Sequence, residues 1–357
     1  MARYLRNAWY VGAHSDELAG APLARTLLEE RVVLYRTASG AVSALRDRCP
    51  HRFAPLSLGK IRGEELECGY HGLRFDRTGA CAHNPHGARP ASARVHAYPT
   101  LERYGYVWFW PGDPARADPA LLPEFKFLGD SHRFTTMTGY LHVKAHYELI
   151  VDNLLDLSHA VFVHPHFAIP GLSAEEQLRA TVTRTTQEGN AVIAWRLRTG
   201  VPPNPTTREV FGFGPERVDS RSHMTWFPPA LLSFDVGSCL TGTAEEEGLC
   251  IPQAHLITPE TALTSHYFFA ASRNMKRDDA EAGRRFFEAL DLAFREQDEP
   301  MIEAVQRNMG STTDLDDLDP ILLRTDGAPV MARRTLKRMI AAEEQLATSL
   351  NTAAAQQ

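Results

Sequence analysis

The sequence predicts an α+β protein: an N-terminal all-β domain, then a larger domain in which helices flank an antiparallel sheet. Three observations predict it. Short apolar runs broken by turn residues fill the first third of the chain. Strand-like and helix-like periodicities alternate in the remainder. A Pro-rich stretch, ADPALLPEF, lies between the two and sets a boundary near residue 118. With 357 residues the chain exceeds the usual single-domain size, and the reading gives domains at 1–118 and 119–357.

The elements follow in order. RVVLYR (31–36), AVSALRD (41–47) and YGYVWFWPGD (104–113) read as strands, the last closing on Pro and Gly. A helix is expected over 145–163, strands at AVIAWRLRT (191–199) and TSHYFFAAS (264–272), and a long helix over 278–309. The final segment, VMARRTLKRMIAAEEQLATSL, has helical spacing and ends in NTAAAQQ, a polar tail expected to fray.

A formal charge of −6 provides no basic field for nucleic acid or an anionic membrane surface. The opening residues lack the apolar core of a signal peptide, and no run approaches the roughly 20 apolar residues of a membrane span, so a cytoplasmic protein is expected. Five cysteines form an odd set without a secretion signal, which favours metal ligation over disulfides.

Two constellations carry chemistry. In CPHRFAPLSLGKIRGEELECGYHG, the Cys49-x-His51 pair and the Cys68-x-x-His71 pair are separated by 16 residues, and each sits in turn chemistry. Two short loops facing each other would supply two sulfurs and two nitrogens, the donor set of a [2Fe-2S] cluster held by two Cys on one iron and two His on the other. A Cys2His2 zinc site uses the same donors, but it groups both Cys in one pair and precedes a helix. Cys81, outside both pairs, reads as a small buried hydrophobe.

The second constellation is HYELIVDNLLDLSHAVFVHPH. On a regular helix Asp152, Asp156 and His159 fall within about 60° of one another, with Asn153 beside them, whereas His164 lies about 140° from His159. The helix must therefore loosen before both rings can reach one ion, and Pro165 supports a stop at His164. Two His need one carboxylate to form a 2-His-1-carboxylate triad for Fe(II). On the long C-terminal helix, Phe287, Leu290, Phe294, Asp298, Met301 and Val305 fall on one stripe, with Arg295, Glu299 and Glu303 on the polar face. Asp298 is the acid on the apolar side, where a carboxylate needs a partner or a metal. Asp291 is its rival for that role, and His166 is the alternative to His164.

These residues resemble the Rieske non-haem iron oxygenases, and more narrowly the α subunits that include vanillate and dicamba O-demethylases and toluenesulfonate methyl-monooxygenase. RNAWYVGA, CPHRFAPLSLG, CGYHGLRFD, VDNLLDLSHAVFVH and ITPETALTSHYFFAASRN carry the likeness, and residues 170–250 match least. The resemblance implies an N-terminal Rieske domain with the cluster on Cys49, His51, Cys68 and His71. It also implies a catalytic domain with mononuclear Fe(II) on His159, His164 and Asp298. It further implies a homotrimer in which Asp156 bridges to the partner subunit's His71, and a separate flavin and iron-sulfur reductase. The implied reaction is hydroxylation of an aromatic acid with dioxygen, best read as O-demethylation of a methoxybenzoate such as vanillate. Aryl-methyl hydroxylation and ring dihydroxylation are alternatives within the family. A Rieske electron carrier without oxygenase activity, or a zinc module joined to a hydrolase, are the rivals from outside it. His266, Trp226 and Phe234 are the candidate substrate contacts.

Overall fold

Tyr10–His14 pairs antiparallel with Tyr106–Phe109, which pairs in turn with Thr100–Arg103. The central strand is buried on both faces, and it is shorter than the expected 104–113 run. Tyr104 and Gly105 adopt positive φ (60° and 79°) and make the hairpin turn, as a tight connection between right-twisted strands requires. A second sheet orders Leu23–Leu27, Glu30–Arg36, Val42–Arg46 and Ala97–Tyr98, and a third orders Lys60–Arg62, Glu65–Glu67, Arg74–Phe75 and Cys81–His83. These sheets belong to one compact unit, residues up to Leu122 with Thr258–Ala262 and the segment from Ser349. Its core packs Val33, Tyr35, Leu45, Leu66 and Phe75 around Cys49 and Cys68.

The second unit, Pro123–Ile257 with Leu263–Thr348, is built on an antiparallel sheet. Its main path runs Thr135–Val143, Thr264–Arg273, Gln253–Thr261, Leu231–Leu240, Val218–Phe227, Ala191–Val201 and Val182–Glu188. Residues 280–309 form an unbroken helical rod whose middle, Leu292–Asp298, is a π-helix. Phe269 and Tyr267 on the sheet pack against Phe294 of that rod, with ring centroids 5.1 and 6.1 Å apart.

The computed structural model describes residues 4–355. The C-terminal helix runs Gly327–Ala355, so most of the tail expected to fray is helical, and Gln356 and Gln357 lie outside the described residues. Among the described residues no helix is long and apolar enough to cross a membrane.

Candidate metal centres and the adjoining cavity

In the first unit the two Cys/His loops have the same backbone design. The amide of Phe53 donates to the carbonyl of Cys49 and the amide of Cys49 to Ala54; equivalently, Gly72 donates to Cys68 and Cys68 to Leu73, all at 2.8–3.0 Å. Each loop turns on a positive φ, 61° at Phe53 and 74° at Gly72. A phenylalanine is strained there, and the Arg48 guanidinium lies 3.9 Å over its ring.

The loops place unlike ends in unlike surroundings. Cys49 and Cys68 are buried within the core, and burial, followed by a hydrogen bond from Cys68, pushes the Cys49 thiol up to about 11, against an opposing bond from the His51 backbone. The His51 and His71 rings meet edge to face, 4.6 Å between centroids, with His51 exposed and the Tyr70 ring tilted against His71 at 3.9 Å. Two buried sulfurs opposite two paired imidazoles fit a [2Fe-2S] cluster with mixed ligands, and they do not fit two separate sites. Cys81 lies outside the set, its thiol directed to the carbonyl of His83 at 3.4 Å.

In the second unit the expected helix over 145–163 breaks earlier than Pro165 demands. It runs Tyr147–Leu155, stops at Asp156 (φ −110°, ψ 90°) and resumes as short turns, Leu157–His159 and Ala160–Val163. The single helical face proposed for Asp152, Asp156 and His159 therefore does not exist. Asp156 caps the next turn, accepting from the Ser158 amide and hydroxyl, each at 2.9 Å, while Asp152 pairs with the buried Arg333. The break swings His159 round, and the non-helical conformation of His164 (φ −116°, ψ 77°) before Pro165 does the same for its ring.

The two imidazoles meet Asp298. Its Oδ1 lies 3.4 Å from His159 Nε2 and 3.3 Å from His164 Nε2, and the three donor atoms all lie within 4.8 Å of one another. Ligands held about 2.1 Å from one ion at right angles lie about 3 Å apart, so the spacing fits a facial triad. The outer nitrogens are fixed as well. His159 Nδ1 donates to the Asp156 carbonyl and His164 Nδ1 to Gln297 Oε1, each at 2.7 Å, which leaves both Nε2 lone pairs facing inward. Asn153 Nδ2 reaches Asp298 at 3.5 Å. Burial raises the Asp298 carboxyl, but when the rings are protonated at Nε2 their hydrogen bonds and charge outweigh it and hold it at about 2. Asp291 pairs with Arg295 and His166 with the Ala289 carbonyl, so neither rival joins the cluster.

Asp298 sits in place because of the π-helix. An α-helical stripe through Leu290 and Phe294 would continue to Met301 and Val305, yet these are 56% and 38% exposed. One extra residue in the π segment shifts the phase, and the buried positions become Asp298, Ile302, Gln306 and Met309. The expected stripe thus holds through Asp298 and is corrected beyond it, at Met301 and Val305.

A cavity of about 170 Å³ adjoins the triad, lined on the sheet side by Phe234, Gln253 and His255 and on the helix side by Phe286, Leu290 and Phe294. Of the three expected substrate contacts only Phe234 reaches it. His266 is one residue out of phase: side chains of Thr264–Arg273 alternate, so Tyr267 and Phe269 face the helix while His266 turns away to bond Tyr140 at 2.8 Å. Trp226 is buried near the end of its strand, donating to the Pro229 carbonyl at 3.2 Å. Besides the triad's His159 and His164, the cavity is lined by His255, which sequence reasoning missed although it lies in AHLITPE, just upstream. Its Nδ1 pairs with Tyr267 at 2.7 Å, and its buried Nε2, like Gln253 Oε1, has no hydrogen-bond partner among the described residues. Complete burial lowers its pKa to about 3, so the ring is neutral.

Comparison with known proteins agrees with this layout. Residues 8–99 match the Rieske [2Fe-2S] domain, and residues 143–342 match the vanillate O-demethylase oxygenase C-terminal domain. The chain is 38% identical over 339 residues to the oxygenase component of dicamba O-demethylase from Stenotrophomonas maltophilia, covering 94% of this chain and 98% of that one. It is 32% identical to a vanillate O-demethylase oxygenase subunit from Pseudomonas sp. (strain HR199 / DSM 7063), covering 96% of each. A crystal structure of dicamba monooxygenase bound to 3,6-dichlorosalicylic acid superposes with a TM-score of 0.89 at 35% identity, covering 96% of this chain and 99% of that one. One holding non-haem iron and dicamba gives 0.83 at 35% identity, with the same coverage.

Proposed function

Because this chain belongs to the Rieske non-haem iron oxygenases, with a Rieske [2Fe-2S] domain and a mononuclear iron as its cofactors, we propose that it oxidatively demethylates an aromatic acid of the methoxybenzoate class, such as vanillate. One observation carries the reading: a two-histidine, one-carboxylate cluster opens on a largely apolar cavity with only a few polar groups.

In this reading Cys49, Cys68, His51 and His71 hold the cluster, and His159, His164 and Asp298 hold the iron. The cluster supplies electrons and the iron supplies dioxygen activation. The protein does the rest. The Asp156 carbonyl and Gln297 aim the imidazoles, Phe234 and Phe294 exclude water beside them, and neutral His255 with Gln253 offers polar contacts that orient a ring substituent. A methyl ether hydroxylated at its carbon becomes a hemiacetal, which falls apart to a phenol and formaldehyde. Electrons come from NADH or NADPH through a separate flavin and iron-sulfur reductase. The enzyme works as a homotrimer, with Asp156 bridging to the partner subunit's His71. The partly exposed carboxylate of Asp156 and the exposed imidazole edge of the Rieske loops support that arrangement.

The test has two parts. Anaerobically purified protein should contain about three irons and two acid-labile sulfides per chain; His159→Ala should lose about one iron and keep the reduced Rieske EPR signal. The holoenzyme with reductase, NADH and dioxygen should release formaldehyde from methoxybenzoates. Benzylic alcohol from an aryl-methyl acid would reassign the reaction to methyl hydroxylation. Two irons in both proteins, with no product, would leave an electron carrier.

A further inference from the structure

One strand of the second unit is built inside out. Along Ala191–Val201 the sequence alternates Trp195, Arg196, Leu197, Arg198, and the hydrophobic side chains are the ones turned outward, Trp195 38% and Leu197 36% exposed. The arginines turn inward. Both line the cavity that also borders His159 and Asp298. Residues i and i+2 on a strand share a face, so the two guanidiniums are neighbours.

Their charges are poorly compensated by the protein. Among the described residues Arg196 has one acidic neighbour, Asp156, at 4.0 Å, and both oxygens of that carboxylate already accept from Ser158. Arg198 donates through Nε to the Thr181 hydroxyl at 2.8 Å, and among the described residues its two terminal nitrogens have no hydrogen-bond partner. Ser220, which also lines the cavity, stands directly across from Arg198 in the sheet. Burial, with Arg196 adding repulsion, lowers the Arg198 pKa to about 10, still charged at neutral pH. Two neighbouring like charges out of bulk water that share a single, already engaged carboxylate are costly, and an oxyanion with two acceptor atoms would satisfy both forks at once.

We infer that Arg196 and Arg198 form an anion subsite that holds the carboxylate or sulfonate of the substrate within the cavity. This rests on the aromatic-acid reading above and sharpens it: the acid group docks on the arginine strand, while His255 and Gln253, neutral and on a different strand, meet uncharged substituents. Arg196 approaches Asp156, and Asp156 accepts from His159 Nδ1, so the subsite lies on the His159 flank of the triad.

The test is anaerobic calorimetric titration of the holoenzyme with 4-methoxybenzoate, 4-methoxybenzenesulfonate and neutral 4-methoxytoluene. For Arg198→Gln the dissociation constants of the acids should rise about thirtyfold, the size expected for a lost charge-assisted bidentate contact. Binding of 4-methoxytoluene should stay within about threefold, which also verifies that the cavity is intact. Arg198→Lys should restore part of the acid affinity, since it keeps the charge and loses the fork. The inference is overturned if neither acid binds the wild type, if both bind Arg198→Gln as tightly as wild type, or if acid and neutral ligands weaken together. Acids that bind normally but yield no product overturn the proposed reaction and leave the subsite standing.

Discussion

Gln297→Ala should weaken iron binding without touching the Rieske cluster. Gln297 and Asp298 are consecutive, and they grip opposite nitrogens of one ring: Gln297 accepts from His164 Nδ1 at 2.7 Å while Asp298 lies 3.3 Å from Nε2. The His164 side chain is only 6% exposed, so water is poorly placed to replace the amide oxygen. Removing it leaves a buried N–H unpaired, a cost of about 1–3 kcal/mol, and frees the ring to rotate away from the ligand position. Loss of such an outer contact typically costs 10–100-fold in metal affinity, and about thirtyfold, or ~2 kcal/mol, is expected for this site. Anaerobic titration of iron-depleted protein with Fe(II) against a competing chelator reads the affinity, and the reduced Rieske EPR signal is the internal control. Gln297→Glu, which keeps an acceptor and adds charge, should bind at least as tightly as wild type. An affinity for Gln297→Ala within about twofold of wild type would refute the reasoning.

Two further outcomes are expected. His255 is neutral when folded, with its pKa lowered from 6.5 to about 3, so below pH 6.5 the unfolded chain binds more protons and stability falls with pH. The loss reaches about 1.4 kcal/mol per pH unit at most, and His255→Phe should flatten it when urea midpoints of both proteins are compared from pH 7 to 4.5; parallel curves would remove His255 as the cause. The π-helix phase shift predicts that Ile302→Ala, at a 7% exposed position, costs about 2–4 kcal/mol, while Met301→Gln next to it stays within about 0.5 kcal/mol. Equal losses in chemical denaturation would contradict the register described for this rod.

What could be read from the sequence depended on how local the constraint was. The cluster loops were legible because spacing alone sets their geometry, and the stop at His164 because proline forbids the alternative. Asp298 was legible as an acid in an apolar context. The positions that failed needed long-range information. His266 and His255 both lie on strands of apolar character, and choosing between them requires knowing which face of each strand meets the helix, which parity alone leaves open. Arg196 and Arg198 show the same limit more sharply: alternation with Trp195 and Leu197 was visible, but its sense is the reverse of the usual one. Gln297 carries no signal of its own, since its role follows from where His164 ends up.

The π turn also determines how this helix can be exchanged. Its two α-helical halves, Ala280–Asp291 and Glu299–Met309, obey different phase maps, joined by a segment that works as a one-residue spacer. A chimaera that imports the downstream half at a junction before Leu292 must import the spacer as well, or every side chain past the junction rotates by about 100°. A junction after Asp298 carries no such condition. The rod is therefore best treated as two interchangeable cassettes with a single indivisible hinge block, and the carboxylate travels with that block.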